Sequence, residues 1–428
     1  MLSTAKTARQ ARTVRRVGAA LLALGALAAP LLAHAAGKPA RDEKIWAAAT
    51  AARPGQMKLW EEVVDIDSGT GDVEGGRKVA ALLVPRLKAA GAEVQTLPAE
   101  ADGLPENTVA TFTGTGKARI LIIAHIDTVF GPGSVAKWPF KIEGDTARGP
   151  GVGDEKGGVI EALTAMGLLH DLGFKGYGRL TFLIETSEER GSPGTKKLIE
   201  KLVRENDVEL NMEPGDPPDA ITVWRKGSVT FNIIVKGRAA HAGVAPQEGR
   251  NAIVELMHQL KAVETLPHTG DGVTANVTII KGGARDNIIP EYAEAHINVR
   301  TREPGDADKV EGVLKAAAAK TEVPDTTVTV TSDPAYPPLP DNPATQALAR
   351  RAAALYAETG RPLGFGHNGG ASESAMAAAA GTPALDGLGP VGGGFHSEKE
   401  YVDLTTVTPR LYMLTRLLME LSARPPTK

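Results

Sequence analysis

Cysteine is absent from the 428 residues. That excludes thiol catalysis, disulfide staples and thiolate metal sites. Any metal would have to be held by His, Asp and Glu. An excess of positive charge is also missing: the formal net charge is −3, so no nucleic-acid partner is expected. Beyond residue 35 there is no internal repeat and no apolar run long enough to span a membrane.

The first 35 residues read as an export signal. "MLSTAKTARQARTVRR" is basic, "VGAALLALGALAAPLLA" is apolar but short for a membrane span, and "AHA" ending at Ala35 has the small residues of a cleavage site. The mature chain would then be periplasmic, with no stable membrane span. Arg15-Arg16 leaves Sec and twin-arginine export both open. Removing residues 1–35 takes away Lys6, Arg9, Arg12, Arg15 and Arg16 and no acid, so the net charge becomes −8.

The remaining length is too great for one ordinary core, which makes two domains the expectation. From residue 43 to 216, stretches with helical periodicity alternate with strands such as "NTVATFTGTG", "ARILIIAHIDT" and "GRLTFLIETSEE". This predicts an α/β fold, a mixed sheet with helices on both faces. The rhythm changes at residue 227. "GSVTFNIIVKG", "GRNAIVELMHQLKAV", "GVTANVTIIKGG", "EYAEAHINVRT", "DADKVEGVLKAAAAKT" and "TTVTVTSD" give the order β-α-β-β-α-β of a ferredoxin-like sandwich. Residues 338–428 return to helix and strand. The expected architecture is a catalytic domain in two pieces, 36–226 and 338–428, with a smaller domain at 227–337 inserted between them.

The buried run Ile120–Ala124 stops at His125 and Asp127. Further acids and a histidine follow strands or lie in glycine loops: Asp154 and Glu155 in "GPGVGDEKGG", Glu188 and Glu189 in "TSEERGS", Glu213 in "MEPGD", His396 in "GFHSEKEYVD". Singly, each has an ordinary reading as a cap, a helix-dipole partner or a surface residue. His170 and His296 keep such a reading. Together, several strands of one sheet end in metal-capable groups, and ligands in such sheets sit beyond the carboxyl ends of strands. Gathered carboxylates repel one another and take up protons unless a cation compensates them. Imidazole and carboxylate without thiolate suit two first-row divalent metals, zinc first, with cobalt or manganese as alternatives. One acid has to stay off the metals as general base.

The motifs "AHIDTV", "GPGVGDEKGG", "TSEERGS", "MEPGD" and "GFHSEKEYVD" resemble, in order, those of the two-zinc exopeptidase family that includes bacterial glutamate carboxypeptidase, aminoacylase, acetylornithine deacetylase and succinyl-diaminopimelate desuccinylase. The glutamate carboxypeptidase group is the most similar. The resemblance spans essentially the whole mature chain. It implies two zinc ions per subunit, held by His125, Asp154 and Glu213 and by Asp154, Glu189 and His396, with Asp154 bridging. It also implies Glu188 as general base, Asp127 as the acid that orients His125, and a cis peptide at Asp154-Glu155. In "KGRAAHAGVAP", His241 matches a lid histidine that crosses a homodimer to stabilise the oxyanion in the partner's site. Asn287 and Arg300 match groups that hold the substrate's terminal carboxylate. The implied activity is hydrolysis of the amide bond before a C-terminal amino acid in a small peptide. An N-acyl-amino-acid amidohydrolase is the alternative, and a non-catalytic solute-binding protein the remote one. Glutamate-selective relatives carry basic side chains in the segments that here read "EPGDPPDAITVW" and "VTSDPAYPP". These offer Asp219 and Asp333, and "GGASESAMA" adds Glu373. The expectation is a pocket favouring basic or neutral C-terminal residues over Glu and Asp.

Overall fold

The computed structural model describes residues 40–426; the segment read as an export signal lies outside them. Asp42 opens the first helix, Glu43–Val64, by accepting from the backbone N–H groups of Lys44 and Ile45. The main sheet has six strands in the order Glu93–Leu97, Asn107–Thr113, Arg179–Glu185, Arg119–His125, Val208–Asn211, Ala384–Leu385. The first two pairings are antiparallel and the remaining three parallel. It is the mixed α/β sheet expected.

The strand Arg119–His125 shows why both faces are covered. Successive side chains point to opposite faces. Ile120, Ile122 and Ala124 join the large core, with Trp60, Ile160 and Leu414 from the helices on that face. Leu121 and Ile123 join a second core with Ile199 and Val203 from the helix Lys196–Glu205. With both faces buried, the strand reads as continuous apolar sequence. Three adjacent parallel strands, Arg179–Glu185, Arg119–His125 and Val208–Asn211, end side by side.

Residues 227–336 form a second sheet. The strands Gly227–Lys236, Thr274–Gly282, Tyr292–Thr301 and Thr327–Tyr336 pair antiparallel, in spatial order second, third, first, fourth. Helices Ala252–Glu264 and Asp306–Ala318 pack against it, closing a core around Phe231, Ile233, Leu256, Ile297 and Leu314. That is the ferredoxin-like order read from the sequence.

Two features escaped the sequence reading. The buried strand Ala220–Arg225 pairs in parallel with Gly364–Asn368. A four-stranded sheet joins Gly392–Gly393, Tyr401–Asp403, Thr146–Arg148 and Lys141–Glu143. Their strands are mostly short, and the pairings of 220–225 with 364–368 and of 146–148 with 401–403 are distant in sequence, so no local periodicity announces them.

The same region corrects the expectation for Asp219. Its Oδ1 accepts from Arg410 Nε at 3.1 Å and Nη2 at 3.0 Å, and its Oδ2 accepts from Tyr356 at 2.6 Å. Arg410 is fully buried and also donates to the carbonyls of Gly387, Gly389 and Ala220. Asp219 is therefore a structural anion that ties the last helix, Val407–Ala423, to the sheet. Replacing Arg410 by Met removes that carboxylate's buried partner and leaves it Tyr356 and the more exposed Arg361, 3.4 Å away. The expected loss is about 3–5 kcal/mol of unfolding free energy, read as a lower midpoint in urea denaturation.

Candidate metal centre

The three adjacent strand ends deliver the site. His125 is the last residue of its strand; Glu188 and Glu189 follow Arg179–Glu185 in a single 3-10 turn, and Glu213 follows Val208–Asn211. Asp154 comes from the glycine loop ahead of the helix Lys156–Asp171. This loop is packed tightly: a Cβ on Gly158 would lie 2.1 Å from the carbonyl oxygen of Met212, so only glycine lets helix and strand meet there. The Asp154-Glu155 peptide is cis. His396 sits in the hairpin between Gly392–Gly393 and Tyr401–Asp403, in the left-handed region at φ 60°.

These residues form two overlapping groups. His125 Nε2 lies 3.2 Å from Asp154 Oδ1 and 3.6 Å from Glu213 Oε1. His396 Nε2 lies 3.2 Å from Asp154 Oδ2 and 3.2 Å from Glu189 Oε2. Asp154 thus turns one oxygen to each imidazole. Ligands about 2.0–2.1 Å from a tetrahedral cation stand roughly 3.3 Å apart, which these separations match. His125 Nε2 is buried, aimed into the acids and without a hydrogen-bond partner among the described residues. The donors fit a pair of divalent cations sharing Asp154. Glu188 Oε2 stands 4.0 Å from His125 Nε2, outside these two groups; it clusters instead with Glu213 and Glu373 in a third, all-carboxylate group without an imidazole.

Asp127 organises more than one ligand. Its carboxylate lies 3.4 Å from His125 Nδ1, but the nearer partner of that nitrogen is Asp127's own carbonyl oxygen at 3.0 Å. The carboxylate also accepts from the backbone N–H of Glu188 at 3.1 Å and of Glu189 at 3.3 Å, and from Thr70 Oγ1. One acid therefore fixes a ring, a candidate base and a candidate ligand.

Further residues build the site; Glu400, Glu185 and Arg225 escaped the sequence reading, while Glu155 and Glu373 were noted there without the partners found here. Glu400 accepts from the backbone N–H groups of Gly151, Gly153 and Asp154 at 2.8–3.0 Å and holds the glycine loop. Glu155 accepts from the backbone N–H of His125. Glu185 and Glu373 are buried behind Glu188. Arg225 donates to Glu213. The run "SEKEYVD" offers three acids, and nothing local distinguishes the one that turns inward.

The group meets a cavity of about 410 Å³ lined also by Arg225, Asn298, Arg300 and Asn368. Arg300 comes from the last part of the strand Tyr292–Thr301 and so brings the inserted segment to the site. His241 and Asn287 do not line this cavity; both are exposed, His241 ending the short strand Ala240–His241 and Asn287 in the turn before its partner Ile288–Ile289, where Ala242 N–H donates to the Asn287 carbonyl. His241 Nδ1 accepts from the N–H groups of Gly243 and Val244, which leaves the ring proton on Nε2. Asp333 is exposed and does not line the cavity. With Asp219 paired to Arg410, the acidic side-chain pocket expected from the sequence is not formed. Of its three acids, only Glu373 lies at the site, where it accepts from Asn211 Nδ2.

The fold and this paired-carboxylate, paired-imidazole centre define a metal-dependent hydrolase. The chain belongs to peptidase family M20/M25/M40, whose model matches residues 121–420. It is 35% identical over 408 residues to carboxypeptidase G2 of Pseudomonas sp. (strain RS-16), covering 95% of this chain and 97% of that protein. It is 31% identical over 330 residues to a succinyl-diaminopimelate desuccinylase of Methylorubrum extorquens, covering 70% and 82%. In fold it is similar to the M20 family metallo-carboxypeptidase Sso-CP2 of Sulfolobus solfataricus, with TM-score 0.69, 17% identity and coverage of 86% and 99%. The protein is thus a metallo-exopeptidase or amidohydrolase of this metal-dependent family.

Without metal the acids are poorly compensated. Burial, then repulsion from Glu373, pushes Glu188 well above the usual carboxylate range. Burial raises Glu213 to about 7 against the pull of Arg225, and raises Glu400 to about 7 with help from Asp154. Their unfolded value is about 4.3. Between those values the folded, metal-free chain holds more protons than the unfolded one, so its stability falls as pH rises from about 4.5 to 7. A chelator-treated sample is expected to melt at a lower temperature at pH 7.5 than at pH 5. Added divalent metal should raise Tm more at pH 7.5, because it replaces the missing protons.

Proposed function

We propose that this protein is an exported, zinc-dependent carboxypeptidase that hydrolyses the amide bond before a C-terminal amino acid. The observation that carries this reading is the division of Asp154 between two imidazoles, with Glu188 beside both groups but outside them. A bound metal pair supplies polarisation of the scissile carbonyl and acidification of a water. Glu188 takes the proton from that water and returns it to the leaving amine. Its raised proton affinity suits both halves of the transfer. Asp127 keeps Glu188 in place through the backbone. Arg300 pairs with the substrate's terminal carboxylate through its fork.

The cations around the cavity favour an acidic leaving residue. Arg300 lines it with its charge on a neutral partner, and Lys226 and Arg302 outnumber Asp271 in an adjoining recess of about 320 Å³. Burial holds Lys226 below its usual pKa against the pull of Asp271, and the charges of Arg300 and Arg302 add to the depression. A basic side chain would meet like charge there. An N-acyl amino acid presents the same bond, so acetyl and benzoyl amino acids are the comparison substrates.

The oxyanion donor in this reading is His241 of a second copy. Its proton-bearing Nε2 belongs to a residue outside its own cavity. The same segment carries exposed apolar side chains: Val254 and Met257 on the helix Ala252–Glu264, and Ile279 and Ile280 on the edge strand Thr274–Gly282. Such a surface supports a homodimer. Among the described residues no helix is long and apolar enough to cross a membrane.

Glu188→Ala should keep its metal and its Tm while kcat falls by about 10²–10⁴-fold or more. The substrate series is one N-blocked scaffold ending in Glu, Leu or Lys, with kcat/KM highest for Glu. Metal lost along with activity would make Glu188 a ligand, and Lys as the best substrate would reject the cationic recess.

A second experiment addresses the subunit exchange. His241→Ala and Glu188→Ala are each inactive alone in this reading. Mixed and allowed to exchange, they should regain activity, because each heterodimer contains one site with both groups intact. Confirmed exchange without recovery would refute the cross-subunit role.

A further inference from the structure

Arg225 has no role in the chemistry described so far, yet it is buried against the centre. It ends the strand Ala220–Arg225, two residues before the inserted sheet begins. Its backbone exchanges hydrogen bonds with Leu339, in the segment that returns from the inserted sheet, at 3.0 and 3.1 Å. The guanidinium is thus fixed from both connections.

Its fork joins two acids. Nε donates to Asp386 Oδ2 at 2.8 Å, and Nη2 donates to Asp386 Oδ1 at 2.8 Å and to Glu213 Oε2 at 3.1 Å. Glu213 Oε1 is turned the other way, 3.6 Å from His125 Nε2. The two oxygens of Glu213 are therefore distinguished: one faces the candidate cation and the other is occupied by a cation already present. An arginine beside a metal site would ordinarily oppose the metal by charge repulsion. Here Asp386, fully buried and accepting from Ser372 and Ser374, compensates it. What Arg225 contributes is then orientation, with a net charge near zero for the Asp386–Arg225 pair.

We propose that Arg225 is a positioning residue: it holds Glu213 so that a single oxygen is presented to the metal beside His125, and it thereby sets the affinity of that metal position. Lysine cannot replace it, because an ammonium lacks the planar fork that reaches Asp386 twice and Glu213 once. The role rests on the metal-centre reading and extends it to a residue outside the ligand set.

The test is a zinc competition titration against a chelator of known affinity, with Tm measured in parallel. Unsubstituted protein should bind two zinc ions. Arg225→Lys should weaken one of them by about 10–100-fold, leave the other within twofold, and lower kcat more than it raises KM. In a Glu213→Gln background the same substitution should change zinc affinity less than twofold, because the carboxylate it positions is gone. Arg225→Lys affinity within twofold of the unsubstituted protein would overturn the proposal. So would an equal loss in the Glu213→Gln background, which would mean that Arg225 acts through the fold. If Arg225→Lys does not fold, Arg225→Gln with Asp386→Asn leaves no uncompensated charge and is read the same way. An unsubstituted chain that takes up no zinc would reject the metal reading itself, an outcome distinct from loss of the Arg225 effect alone.

Discussion

Everything at the centre of this molecule depends on one electrostatic constraint. Asp127, Asp154, Glu155, Glu185, Glu188, Glu189, Glu213 and Glu373 converge on one cleft around His125. Moving even one carboxylate out of water costs several kcal/mol after relaxation. Arg225 and Arg300 are too few to balance eight acids. The cluster has two ways to be stable: protons on several of the acids, or divalent cations among them. The residues choose the second where they can. The ligand atoms stand at cation-sharing distances, while Glu155, Glu185 and Glu373, which are not in the two imidazole-containing groups, are held by a backbone N–H, a serine and an asparagine.

Holding such a cluster open requires support from outside it, and the fold supplies that support from separate places. Asp127 fixes His125 and the 188–189 turn together. Glu400 fixes the loop of Asp154 through three backbone N–H groups. Trp60 donates to the carbonyl of Val152 and ties the same loop to the first helix. None of these residues need touch a metal. They are spread from residue 60 to residue 400, so the centre exists only when the two outer portions of the chain have closed into one sheet.

The parts legible in the sequence are those with a local signature. Apolar runs ending in His125, Glu188-Glu189 and Glu213 are both strand signal and site signal, because a buried parallel strand leaves its chemistry at its carboxyl end. The β-α-β-β-α-β rhythm of residues 227–336 is likewise local. Arg225, Glu400 and Asp219 were illegible or misread for a common reason. Each is defined by a partner far along the chain: Asp386 for Arg225, the 151–154 backbone for Glu400, Arg410 for Asp219. Sequence gives the charge of such a residue but not its partner. Reading Asp219 as a free anion in a pocket counts its charge without its pairing.

That distinction also governs what the cavity can select. The carboxylates on its wall are committed to the cation positions or to the base, so they offer no spare charge to a substrate side chain. The cations differ among themselves. Arg225 is consumed by Asp386 and Glu213. Arg300 donates to the neutral Asn298, whereas Arg302 lies over the ring of Trp224 and 3.6 Å from Glu303 Oε1. In the adjoining recess Asp271 partly offsets Lys226 and Arg302, so the charge there is mixed although weighted to cations. The cation bonded to a neutral partner, Arg300, sits on the inserted segment. The outer portions of the chain carry the metal-capable residues, and the inserted portion adds Arg300 and Asn298 to the wall of the same cavity.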